Sequence, residues 1–319
     1  MYTKITPKYY NVIFLIFLLL YLFIVMYVVP NTEITLDRES YFISFANTPD
    51  IIDRIDFLSP PILFQEPLYR VIVYWLGIFF SPQSIALILI GISASLSIGV
   101  LYQARPDLLP LIILVFLLPQ FMGKYIVHIR QGLAITIFLV MYLYFKRSLI
   151  TSCFIAGLAH ISFFIALPIL FAIKITPKKR TYALLLSIVF FLFASLFFYQ
   201  DVFRQLSFYL NIRQSQNYSF TSDNISGLGF LYWFVIYFFL FMQKKYSESR
   251  ALSMNIIALY CASYFFVNFL SRLLESFLPM IFIELKSLNT KVCYLALIFY
   301  LAVSWNSRLS LTLLGFGGS

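Results

Sequence analysis

The chain has 319 residues; 61% are hydrophobic, 11% are charged, and the mean hydropathy is +0.89. A soluble domain carries roughly 25% charged residues, so the few charges here cannot cover a water-facing globule, and disordered, collagenous and coiled-coil classes fall on the same count. The surplus of 23 Lys and Arg over 13 Asp and Glu, net +10, would suggest nucleic acid in a soluble protein; in so apolar a chain it points to Lys- and Arg-rich cytoplasmic loops.

The expected class is an all-α polytopic membrane protein, one multi-pass domain over 1–319, since the apolar runs are too long for barrel strands. In chain order, spans are predicted at 9–29, 84–103, 107–122, 128–145, 181–199, 228–243, 251–270, 273–285 and 292–305. The first follows Lys4 and Lys8 as a signal peptide would, but it is too long for a signal core and lacks a small-residue cleavage site; it reads as an anchor. Residues 66–80 are apolar but short and open Glu66-Pro67, which predicts an interfacial helix. Residues 148–173 lie between the basic pair Lys146-Arg147 and the cluster Lys174, Lys178, Lys179, Arg180. Two cytoplasmic flanks require the chain to go in and come back, as a re-entrant-like hairpin of two half-length helices turning near His160. Cys153, Cys261 and Cys293 all sit in apolar runs and read as packing residues.

This arrangement puts the N-terminus in the cytoplasm and the C-terminus outside. The inner side then holds 14 bases and three acids, the outer side nine bases and ten acids, as the positive-inside rule requires. Ten of the inner bases are Lys, whereas eight of the nine outer bases are Arg. Arginine is favoured where planar contact with phosphate or carboxylate is needed, although pairing with outer acids or headgroups would also use it. The long polar stretches, 31–83 and 200–227, are also outside, and 201–213 reads as an amphipathic helix. Loops carry function more often than anchors do, so the outer interface is the expected workplace.

Several residues there carry two readings each. Asp37 is a surface base or a helix cap, and Glu66 is a cap or a carboxylate aimed at a cavity. Lys124, His128 and Arg130, the last followed by Gln131, stand at headgroup level, as phosphate ligands or interfacial anchors. Arg272 is an intramembrane functional cation or the partner of Glu275, and His160 is catalytic or merely buried. Two histidines and no acid cluster beside them make a metal site unexpected; no Gly-rich phosphate loop calls for a nucleotide cofactor.

The residues Asp37 and Tyr41, Glu66 and Tyr69, Arg130-Gln131 with Ala134, Lys146-Arg147, His160 and Ser162, and Arg272 occur in an order that resembles the EpsG family. That family groups with the Wzy-type polymerases of O-antigen, capsule and exopolysaccharide. Where the family often has Glu-x-Gly-Tyr, this chain has Leu68. The resemblance implies a GT-C-like helix bundle in the bacterial inner membrane, working outside without a cofactor. Donor and acceptor would be undecaprenyl-diphosphate-linked glycans, with the lipid bilayer and a chain-length regulator as further partners and no nucleic acid. The growing chain would pass to the incoming unit. Arg130 and Arg272, then Arg70 and Lys124, would meet the leaving diphosphate; Asp37, Glu66 or His160 would be the base; Tyr41 and Tyr69 would stack on sugars. A lipid-linked-sugar flippase and a polysaccharide ligase are the rival readings, the first disfavoured by the lack of an internal repeat.

Overall fold

A computed structural model describes residues 9–28, 41, 44–47, 65–199, 227–243, 246–264 and 269–309. Every element among them is helical. Asp37 and the predicted amphipathic helix at 201–213 lie outside the described residues. The chain divides into two compact units, Met1–Leu167 with Leu297–Ser319, and Pro168–Ala296.

In the first unit α1 (Tyr9–Phe23) runs into a widened turn at Ile24–Val28. Residues 41 and 44–46 are helical, and the short α2 (Pro67–Gly77) stands at the place of the predicted interfacial helix. α3 (Pro82–Ala104) starts with Pro82 in its first turn and Ser81 as cap, the Ser81 hydroxyl accepting the Ser84 N–H. The predicted span 107–122 proves to be two helices, α4 (Leu109–Phe116) and α5 (Pro119–Ile126), bent by 82°. Pro119 is the cause: it has no N–H to continue the ladder, and it drives Leu118 into the extended region, φ −65° and ψ 123°. The carbonyl of Leu117 freed at the break accepts the Trp305 indole N–H at 3.1 Å.

α6 (Ile129–Leu139) is buried nearly all round and packs on α3 and α5. Small residues let the helices approach. On α3 these are Ser93, Ala94 and Ser97; the Thr136 hydroxyl lies 2.9 Å from the Ser93 and Gly132 carbonyls and 2.8 Å from Ser97 Oγ. On α6 it is Gly132, where an added Cβ would lie 2.6 Å from the Lys124 carbonyl oxygen. α6 ends in a second widened turn, Val140–Tyr144, and Lys146 at φ 52° reverses the chain. α7 (Leu149–Gly157), capped by Ser148, packs back on α6. The expected break near His160 falls at residues 158–161, before α8 (Ser162–Ile175), and Gly157 lets Phe164 close on the turn.

The second unit comprises the rest of α8, α9 (Arg180–Tyr199), α10 (Leu228–Met242), α11 (Glu248–Ser263), α12 (Phe269–Ser276), α13 (Leu278–Leu288) and the start of α14 (Thr290–Leu309). α11 is its centre, with α9, α10, α12 and α13 around it. Glu284 on α13 accepts the hydroxyls of Ser249 and Ser247 and faces Arg250 Nη2 at 3.5 Å.

The outward faces are apolar. α1 exposes Val12, Leu15, Ile16, Leu19, Leu20 and Phe23; α9 exposes Leu185, Ile188, Val189, Leu192, Phe193 and Leu196. In water such stripes would aggregate, so hydrocarbon is their solvent, and the protein is membrane-embedded. Two of the described helices, Tyr9–Met26 and Pro82–Ala104, are long and apolar enough to cross, three if the bent α4–α5 pair is one span. Five more apolar helices have 10–17 residues: Ile129–Tyr144, Thr181–Leu196, Leu228–Met242 and Thr290–Trp305 lie at predicted spans, and Ser162–Ile175 lies in the predicted hairpin.

Candidate active site

The site is built around a carboxylate that the sequence reads as a helix cap. Glu66 precedes α2 but makes no capping hydrogen bond; its backbone is left-handed, φ 57° and ψ 55°. This conformation costs a non-glycine residue roughly 1–2 kcal/mol. A backbone contact two residues along holds it in place: Leu68 N–H donates to the Leu158 carbonyl at 2.9 Å, tying the start of α2 to the turn between α7 and α8. Leu68, where the family often has glycine, is ordinary helix. The strained backbone turns the Glu66 side chain inward, away from the helix end.

There it meets groups remote in sequence. Arg130 Nη1 donates to Glu66 Oε2 at 2.6 Å, and His160 Nε2 faces Glu66 Oε1 at 3.8 Å. Nδ1 of His160 lies 2.8 Å from the Ser162 hydroxyl and 3.3 Å from the Ser162 backbone nitrogen. The Arg130 guanidinium stands over the rings of Tyr41 and Tyr69, at 5.6 and 6.0 Å from their centroids, a cation–π arrangement. The Tyr69 hydroxyl is buried and makes no hydrogen bond among the described residues. Arg70, half-buried, donates from Nε to the Gln65 carbonyl at 2.7 Å.

Exposure divides the roles. The side chains of Glu66 and His160 are 8% and 10% exposed, that of Arg130 38%. The acid is buried, and Arg130 is the more exposed partner of the pair. Burial pushes the Glu66 carboxyl above its ordinary value; Arg130, the Ile161 N–H and Arg70 pull it back in part. A carboxyl so placed holds or gives up a proton at a higher pH than a surface glutamate, as a general base does.

Gln131 is buried on α6, and Lys124 is buried on α5, its backbone pressed against Gly132. Arg272 lies half-buried on α12 of the second unit. Sequence reasoning missed the Arg250–Glu284 group, because its members look like ordinary loop charges. Among the described residues no cluster of three His, Cys, Asp or Glu could hold a metal ion.

A buried glutamate, an arginine opening a helix and a histidine two residues before a serine thus come from three separate stretches to one place. The family model of EpsG, described as the EpsG family, matches residues 12–310. The chain belongs to the EpsG family. No curated protein and no solved structure matches it. EpsG membership points to a polysaccharide polymerase, and the match spans all the residues of the cluster.

Proposed function

We propose that the protein joins lipid-linked oligosaccharide units on the outer face of the cytoplasmic membrane, with donor and acceptor both carried on undecaprenyl diphosphate. The observation that carries this reading is the contact between Glu66, Arg130 and His160 beside two tyrosine rings. Glycosyl transfer needs three things: a base for the acceptor hydroxyl, a cation for the leaving diphosphate, and a surface for sugar rings. The acceptor oxygen attacks the anomeric carbon as its proton goes to the base. The bond from that carbon to the diphosphate breaks, and its electron pair leaves on the phosphate oxygen. Glu66 and His160 are the groups able to manage the proton. Arg130, held by Glu66 and by a hydrogen bond with Tyr41, is the first cation for the phosphate, with Arg70 beside it. Tyr41 and Tyr69 offer faces to sugars, and the Tyr69 hydroxyl, without a partner among the described residues, offers a hydrogen bond. Arg272, Lys124 and Asp37 are further candidates for substrate contact, the last as an alternative base. The GT-C-like bundle, the re-entrant course of 148–173 and the +11 inner against −1 outer charge balance belong to the same proposal.

The test is made in cells lacking the chromosomal copy and complemented by variants. Per molecule of protein in the membrane, Glu66→Gln and Arg130→Ala should give single-repeat glycolipid in place of a ladder of chain lengths. Normal ladders from both would overturn the site. Accumulation of inward-facing precursor in the deletion strain would instead mark a flippase.

A further inference from the structure

The cluster holds two groups able to take a proton, and hydrogen-bond direction separates them. The Ser162 backbone N–H points at His160 Nδ1, 3.3 Å between nitrogens. A backbone N–H can only donate, so Nδ1 presents a lone pair there. The Ser162 hydroxyl, 2.8 Å from the same nitrogen, completes the arrangement by donating as well. The ring proton of neutral His160 therefore sits on Nε2, the nitrogen that faces Glu66 Oε1. Ser162 stands in the first turn of α8, so the helix start that ends the 158–161 turn also sets the ring.

We infer that His160 is a fixed hydrogen-bond donor, not the base, that Ser162 is the positioning residue that sets its tautomer, and that the proton goes to Glu66. This rests on the glycosyl-transfer reading above. The 3.8 Å between Nε2 and Oε1 is too long for a direct N–H···O bond. An oxygen to one side of that line touches both groups. An acceptor hydroxyl placed there donates its proton towards Oε1, accepts from Nε2–H, and keeps its second lone pair for the anomeric carbon. In the step the hydroxyl proton moves to Oε1, the new C–O bond forms, the bond to diphosphate breaks with its electron pair, and the Nε2 proton stays on the ring. Ionised Glu66 is anchored by Arg130 at Oε2, and Oε1 is the oxygen that faces the imidazole.

The experiment uses purified full-length protein and the lipid-linked repeat unit that accumulates in a strain lacking it. Glutamine puts an amide N–H near the place of Nε2 and does not titrate. His160→Gln should stay within about tenfold of wild type, the size of one hydrogen bond, whereas His160→Ala should lose about a hundredfold. Ser162→Ala should lower kcat more than it raises KM, and Ser162→Thr, which restores the hydroxyl, should recover it. The acidic limb of the pH profile should persist in His160→Gln, because it belongs to Glu66. His160→Gln as inactive as His160→Ala, or without the limb, overturns the assignment. The chain has two histidines, so ¹⁵N-histidine labelling of His128→Gln leaves one ring to observe, whatever the other variants do. Nδ1 should resonate as an unprotonated ring nitrogen; a protonated Nδ1 overturns the tautomer. Normal elongation by Glu66→Gln overturns the assignment of the proton to Glu66; if wild type elongates nothing, the glycosyl-transfer reading fails instead.

Discussion

In Arg130→Ala the Glu66 carboxylate keeps its burial and loses the guanidinium that stood 2.6 Å away. Breaking a buried ion pair from one side costs about 3–5 kcal/mol, because the remaining charge stays desolvated. Glu66 is 8% exposed but Arg130 is 38% exposed, so part of the pair is already solvated and the cost lies near the lower bound, about 3 kcal/mol. The Ile161 N–H still donates to the carboxylate and Arg70 still attracts it, which also limits the loss. Glu66→Gln removes the need for a counter-charge altogether. In the double variant Glu66→Gln/Arg130→Ala most of the penalty should therefore vanish, leaving a coupling of about 2 kcal/mol, well beyond the ~0.5 kcal/mol within which independent sites add. The assay is unfolding in one detergent of wild type, both single variants and the double variant. Additive single effects would refute the claim that the two groups form one electrostatic unit. Activity should follow a different pattern: both single variants and the double should be similarly inactive, because groups acting as a unit are not additive.

Three further outcomes are expected. The folded state raises the Glu66 carboxyl, so it binds protons more readily than the unfolded chain, and this group's contribution to stability is greatest below the unfolded value and falls as pH rises through the folded one. The melting temperature of wild type relative to Glu66→Gln should thus decline from acid pH towards neutrality; a rise would contradict the burial argument. Gly132→Ala puts a methyl 2.6 Å from a backbone oxygen, so α5 and α6 must part, at about 1–3 kcal/mol, read as lower yield and melting temperature; unchanged values would refute the close approach. Glu284→Ala leaves the buried Arg250 charge without its counter-charge, and should destabilise more than Arg250→Met/Glu284→Met, which removes both charges.

The features legible in the sequence are those set by local chemistry. Apolar runs locate the helices, Pro67 and Pro82 mark helix starts, and the flanking bases of 148–173 call for the break that the structure has at 158–161. Pro119 carries a break signal too, but the unbroken apolarity of 107–122 outweighs it, and the 82° bend stays hidden. The candidate residues Glu66, Tyr69, Arg130 and His160 are all legible as ionisable or aromatic groups in apolar company. Their grouping is not. Glu66 and Arg130 lie 64 positions apart, and no periodicity relates residues on different elements. Arg130 therefore reads as a free phosphate ligand, whereas the structure pairs it first with Glu66. The left-handed backbone at Glu66 is equally hidden, since the residue is not glycine and a preceding acid is an ordinary way to open a helix.

That backbone conformation bears on how the site came to exist. Proline at 67 disfavours helical backbone at 66, and a glutamate at positive φ adds its own cost. Asparagine or glycine would relieve the strain at that position, but neither would carry a carboxylate to Arg130. Strain of this kind persists where surrounding structure over-determines it, and here two fixed points do so: the Leu68 to Leu158 hydrogen bond behind, and the Arg130 ion pair in front. The same Leu158 belongs to the turn that holds His160. One backbone hydrogen bond thus fixes the spacing between the carboxylate and the imidazole, and the residues flanking it are the ones whose side chains meet. The cost at Glu66 is the consequence of aiming a short, buried acid at two partners from a helix end that would otherwise point it into solvent.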